Sequence, residues 1–166
     1  MKNELERFLE VWERDAAKTL ALLESLPEDS YDFRPDPDGR SIGELAWHLA
    51  EAEAYGSFGI EQGGFAQGTR PPGLERPRTI AELKPGFERI HGDAVARVRN
   101  LSDADLDRKV TFFTGDPWAI RHLLWEFMLL HNVHHRGQLS MMCRQAGGHP
   151  ASLFGPTRET MPLRKA

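Results

Sequence analysis

Two histidines one helical turn apart constrain this chain more than any other feature. The stretch from Trp118 to Gly147 reads as one long helix, and at about 100° per residue His131 and His135 lie about 40° apart on one side of it. Leu124, Met128, Leu139 and Met142 fall on the same side, so the two imidazoles stand in the apolar arc of the most hydrophobic segment. A buried imidazole costs free energy unless it is hydrogen-bonded or coordinated. The fold must bring polar partners or a cation to that face. Packed core histidines and two arms of a metal site are both open at this point.

The preceding segments supply helices to pack against it. From Asn3 to Leu26 the residues Leu5, Phe8, Leu9, Trp12, Ala16, Leu20 and Leu23 recur at three- and four-residue steps, which predicts a first amphipathic helix. Pro27-Glu28-Asp29-Ser30 stops it, and Pro35, Pro37 and Gly39 keep the connection irregular. Ser41-Ile42-Gly43-Glu44 has the capping-box pattern and predicts a second helix from Ser41. Its apolar side collects Leu45, Leu49, Ala52 and Tyr55, with His48 among them.

Residues Glu61 to Arg78 hold four glycines and three prolines, a long crossover loop that lets the next helix begin at either end of a bundle. A second capping box, Thr79-Ile80-Ala81-Glu82, opens helix three, carried by Leu83, Phe87, Ile90, Ala94, Val98 and Leu101. Pro85-Gly86 is expected to kink or delay it. Residues 102–116 are polar, with Val110, Phe112 and Phe113 as a short extended stretch. Asp116-Pro117 then predicts a cap and first position for helix four, and Gly147-Gly148 its stop. The tail, with Pro150, Pro156 and Pro162, is expected to lie as ordered coil over the bundle. The whole reads as an all-α four-helix bundle with a long crossover connection, one domain over residues 1–166.

Composition narrows the partners. The net charge is −4, with Arg and Lys scattered among Asp and Glu, which argues against a nucleic-acid partner. Cys143 is the only cysteine, which excludes a disulfide framework and a thiolate metal cluster and fits a reducing cytoplasm. No apolar run reaches the length of a membrane helix and no basic region precedes one, so a cytoplasmic protein without membrane association is expected.

Three histidines on inward faces, His48, His131 and His135, would compete for few polar partners in a core of Leu, Met and Trp, a cost that a divalent metal resolves. His134 lies at the edge of the arc and is expected to play a supporting or structural part. His91, His122 and His149 lack a helical partner and read as surface or packing residues. Glu44 and Glu51 lie one turn before and after His48 and can orient it or a water, the alternative being a solvated face. Glu51 is the candidate general base, and Gln138 or Asn132 can orient a ligand. Trp12, Trp47, Trp118 and Trp125 read as core or interface on helices, and Cys143 as packing.

Together, His131-x-x-x-His135-Arg136-Gly137-Gln138, Ser41-Ile42-Gly43-Glu44-Leu45-x-x-His48, the connection from Leu26-Pro27 to Arg34-Pro35 and the tail Phe154-Gly155-Pro156-Thr157 resemble the DinB/YfiT-like family of small metal-binding helical proteins. The resemblance covers nearly the whole chain. It implies a four-helix bundle with a crossed-over connection, often a homodimer, and a divalent metal held by His48, His131 and His135. It also implies a thiol-dependent S-transferase or a metal-dependent hydrolase acting on a small-molecule substrate, since family members with known activities include both. Three imidazoles leave a tetrahedral metal one open position, and nitrogen-only ligation suits zinc or nickel, with iron or copper as further choices. That position can lower the pKa of water or hold a low-molecular-weight thiol as thiolate. The alternative is a non-catalytic metal-binding stress-response bundle that acts through its dimer surface. A site open to solvent under the crossover loop would favour the enzyme.

Overall fold

Capping chemistry sets where the helices start. In the computed structural model, which describes residues 2–161, helix α1 covers Glu4–Glu24. Asn3 caps it: its Oδ1 accepts from the Glu6 amide at 2.9 Å, and its own amide donates to the Glu6 carboxylate at 2.9 Å. Helix α2, Ile42–Gln62, opens on the predicted box at Ser41 and ends at Gly63, whose φ of 77° only glycine adopts without strain. It is buried nearly all round, from Ile42 to Ile60, which makes it the central helix.

Helix α3 covers Ile80–Arg99 and is not delayed by Pro85, which lies inside it. The proline removes only the bond to the Ala81 carbonyl, and Ala81 is exposed, so water replaces that donor. Gly86 has a packing reason: a Cβ there would lie 2.8 Å from Cζ3 of the buried Trp47. The predicted box at Thr79 is replaced by other bonds: the Thr79 hydroxyl donates to the Glu82 carboxylate at 2.7 Å instead of accepting from the helix backbone, and the Arg78 amide donates to the same carboxylate at 3.2 Å.

The start of helix four differs from expectation. Asp116-Pro117 does not cap a helix; Pro117–Ala119 is a strand, β2, paired antiparallel with β1, Lys109–Thr111, with Val110 opposite Trp118. Gly115 at φ 89° turns the hairpin, and the Phe112 amide donates to the Asp116 carbonyl at 2.9 Å, so the backbone of Asp116 is committed to the turn. Trp118 therefore sits on a strand. Helix α4 occupies residues 120–145: an opening turn Ile120–His122, a π-helical stretch Leu123–Leu130 and a regular stretch His131–Gln145.

One core cluster joins the start of α1 to the ends of α2 and α3 and the start of α4, through Leu5, Phe8, Ile60, Val98 and Leu124. The other joins the end of α1 to the starts of α2 and α3 and the end of α4, through Leu23, Leu45, Leu83 and Met142. Hence α2 and α3 run parallel to each other and antiparallel to α1 and α4, and residues 63–79 cross the length of the bundle as expected. The tail packs by its Ala151 amide on the Ser25 hydroxyl at 3.2 Å and by Glu159 on Arg144 at 3.0 Å; Pro162 falls outside the described residues. Among the described residues no helix is long and apolar enough to cross a membrane.

Candidate metal centre

The second turn of α2 and the start of the regular part of α4 meet at mid-bundle and bring three imidazoles together. One ring nitrogen from each of His48, His131 and His135 lies within 4.8 Å of the others. The rings meet edge to face, with centroids 4.4 Å apart for His131 and His135 and 5.1 and 4.9 Å from each of these to His48. The Nε2 atoms of His131 and His135 approach to 3.1 Å. Two nitrogens on a tetrahedral zinc, each about 2.05 Å from it, lie about 3.3 Å apart.

Neighbouring side chains fix these rings. Nδ1 of His135 is 2.6 Å from Oε1 of Gln138, and Nδ1 of His48 is 3.4 Å from Oε2 of Glu51. Both contacts leave Nε2 of their ring as the free nitrogen, the outer-sphere pattern of histidine ligands. His131 stacks on Phe127 with centroids 5.4 Å apart, and its Nδ1 is buried without a partner. Burial lowers its pKa to about 4, with the charges of His135, His48, His134 and Arg40 adding to the effect. Burial also lowers that of His135, against the opposing bond to Gln138. These imidazoles are neutral at pH 7, with lone pairs turned toward one another and a buried nitrogen unmet by protein. That set fits a divalent cation; in its absence at most one proton can be shared between the facing Nε2 atoms.

Glu51 is brought to the group, on the Nδ1 side of His48. Its other oxygen is 3.4 Å from Arg76. Burial opposes its charge, but His48 and Arg76 outweigh burial and hold its pKa below the usual range. Glu44 stays at the helix start, bonded to Arg34 at 2.7 Å, with its pKa pulled down to about 2 by that bond and the Ser41 amide. His134 is exposed, edge-on to His135, and lies outside the group. His122 and His149 are exposed. Cys143 is buried packing, its Sγ 3.6 Å from the Ser25 carbonyl and its pKa raised by burial.

A cavity of about 490 Å³ opens beside His135 and Gln138. Its outer wall is the connection between α1 and α2, at Pro35 to Arg40, and not the crossover loop. The crossover loop instead lines a separate hollow of about 410 Å³ on the Glu51 side, with Arg70, Arg76 and Arg78.

Two polar clusters behind the histidines had no clear signal in the sequence. Asn132 donates from Nδ2 to the Leu49 carbonyl at 3.1 Å and to the buried Glu53 at 3.1 Å. Glu53 also accepts from Trp12 Nε1 at 3.0 Å and lies 2.7 Å from Nδ1 of His91. His91 is thus a polar partner as well as a packing residue, and Asn132 ties α4 through its Nδ2 to the backbone next to His48, its Oδ1 buried without a partner. Arg136, with no exposed surface, forms two 2.7 Å bonds to both oxygens of Asp15 and one of 3.0 Å to Thr19. Asp15 and Thr19 are the only polar interruptions among the buried residues of α1, which was the available hint.

A sequence model of the DinB superfamily matches residues 12–139. The chain is 29% identical over 162 residues to the uncharacterized protein YrdA of Bacillus subtilis (strain 168), covering 96% of this chain and 93% of YrdA. Its structure is similar to that of a DinB-like protein from Bacillus cereus ATCC 10987, with a TM-score of 0.77 and 25% identity over 93% of this chain and all of the other. It is also similar in fold to the DinB-like protein YjoA of Bacillus subtilis, with a TM-score of 0.71 and 22% identity over 89% and 96% of the two chains.

Proposed function

The chain belongs to the DinB superfamily, and on that ground we propose that it is a metal-dependent enzyme of the thiol S-transferase or hydrolase type, with His48, His131 and His135 as metal ligands. The observation that carries the reading is the convergence of three imidazoles, one of which, His135, lines a cavity wide enough for a small molecule. Zinc or nickel suits this all-nitrogen set. Such an ion supplies a Lewis acid with a position open to water, a thiol or a carbonyl oxygen.

The chain's own residues do the positioning. Gln138 accepts the Nδ1 proton of His135 and keeps its Nε2 as a lone-pair donor; Glu51 does the same for His48. Phe127 covers one face of His131 and keeps water from it. With both oxygens engaged and its pKa lowered, Glu51 is better suited to orient His48 than to take a proton from substrate.

Elemental analysis of the untagged protein tests this, run beside the H48A, H131A and E51Q variants. Near-stoichiometric metal in the wild type, lost in both histidine variants and bound about 10-fold more weakly in E51Q, is the expected result. It would be followed by a screen of thiol and electrophile pairs and of ester and amide substrates. A wild type that holds no divalent metal after reconstitution would remove the basis of the proposal.

A further inference from the structure

The cavity beside His135 has a composition that metal binding does not account for. Along its inner side run Leu45 of α2 and Met141 and Met142 of α4, an apolar surface in which Met141 is 56% exposed at the rim. Unbranched, polarizable methionines accommodate chains of varied shape. On the other side stands Arg40.

Arg40 is unlike the arginine that shares its loop. Arg34 is bonded to the Gly39 carbonyl at 2.6 Å and to Glu44 at 2.7 Å. The side chain of Arg40 makes no hydrogen bond and no ion pair among the described residues, although its charge is close enough to act on both His131 and His135. Its charge disfavours the protonation of His131 and His135. The one carboxylate on the wall, Asp36, has an oxygen taken by the Asp38 amide at 3.1 Å.

We propose that this cavity binds a small organic acid, its carboxylate on Arg40 beside His135 and its apolar chain along Leu45, Met141 and Met142. The inference deepens the metal-enzyme reading and rests on it for the added pull of the ion. Arg40 and the methionine wall supply the class of ligand. Arg40 is exposed; its guanidinium matches a carboxylate with two parallel bonds, and the apolar wall beside it adds the burial that an exposed ion pair alone lacks.

The test is calorimetric titration of sodium octanoate, sodium acetate and octylammonium chloride into the full chain, zinc-loaded and metal-free, with zinc affinity measured alongside. Octanoate is expected to bind and octylammonium not to. Acetate should bind far more weakly, since each methylene lost from the apolar wall costs about fourfold in affinity. R40Q should weaken octanoate at least about 10-fold and leave zinc affinity in place. M141S, at an exposed position that folding does not depend on, should weaken octanoate several-fold. Octanoate that fails to bind at millimolar concentration, binds R40Q as well as the wild type, or is matched by octylammonium overturns the inference. Zinc binding without octanoate binding sinks this inference alone. Arg40-dependent octanoate binding without zinc binding supports the ligand class and sinks the metal reading.

Discussion

Arg136 shows what a single side chain commits this fold to. Its guanidinium and the Asp15 carboxylate are both out of water and meet in a two-point contact across the α1–α4 interface. Removing one member of such a pair leaves an uncompensated buried charge and costs about 3–5 kcal/mol, whereas replacing both by apolar residues of similar size costs far less. R136M is therefore expected to lower the urea midpoint sharply, and the double variant D15L/R136L to recover much of the loss. A double variant no more stable than R136M would mean that packing volume, and not the carboxylate left with Lys18 alone at 3.8 Å, sets the cost. The same residues mark how far the sequence could be read. His48, His131 and His135 were legible because histidine on an apolar face has few satisfactory alternatives. Asp15, Glu53 and Arg136 were not, because nothing in the spacing of a charged residue tells whether its partner is water or another helix.

Helices and their boundaries were legible wherever backbone capping governs. Asn3 and Ser41 behave as their side chains require, and the crossover connection follows from its glycines and prolines. Helix four was misjudged at its start because Asp-Pro serves a turn as readily as a cap, and the pairing of Pro117–Ala119 with Lys109–Thr111 is a long-range fact. Its π-helical stretch was also hidden. The His131 amide donates to Glu126, five residues back, so a face drawn at 100° per residue does not carry through 123–130. Widened turns of this kind recur at functional sites, and here the stretch ends at the first histidine of α4. Helix α3 offers a paired test of element packing. Gly92 has open space where a Cβ would go, so G92A should gain about 0.5–1 kcal/mol from helix propensity. G86A would drive a Cβ into Trp47 and should lose about 1–3 kcal/mol despite the same gain. Thermal melts of the two variants shifting in the same direction would show that α3 does not hold its place against α2 through this contact.

For the molecule as a whole, stability should depend on pH in a way that metal alters. In the unfolded chain His131 takes a proton near pH 6.5; in the metal-free folded state it does so near 4. Between those values the unfolded state binds more protons, so metal-free protein loses stability as pH falls from about 6.5 toward 4. Glu44, ionised in the fold down to about 2, extends the loss below about 4.5. Scanning calorimetry of metal-free protein should show a melting temperature that declines from pH 7 to 5; on the proposed reading added zinc would raise it at pH 7 by binding the native state more tightly than the unfolded one. A flat profile across that window would contradict the buried, neutral setting of His131. The arrangement of the bundle also has a consequence for biosynthesis. Helices are made in chain order, N-terminal first, and α1, α2 and α3 can collapse on one another before the last helix exists. Of the three imidazoles only His48 is then in place. On the proposed reading a nascent chain that stops short of α4 could not hold the ion, and the three histidines would come together only when α4 slots between α1 and α2.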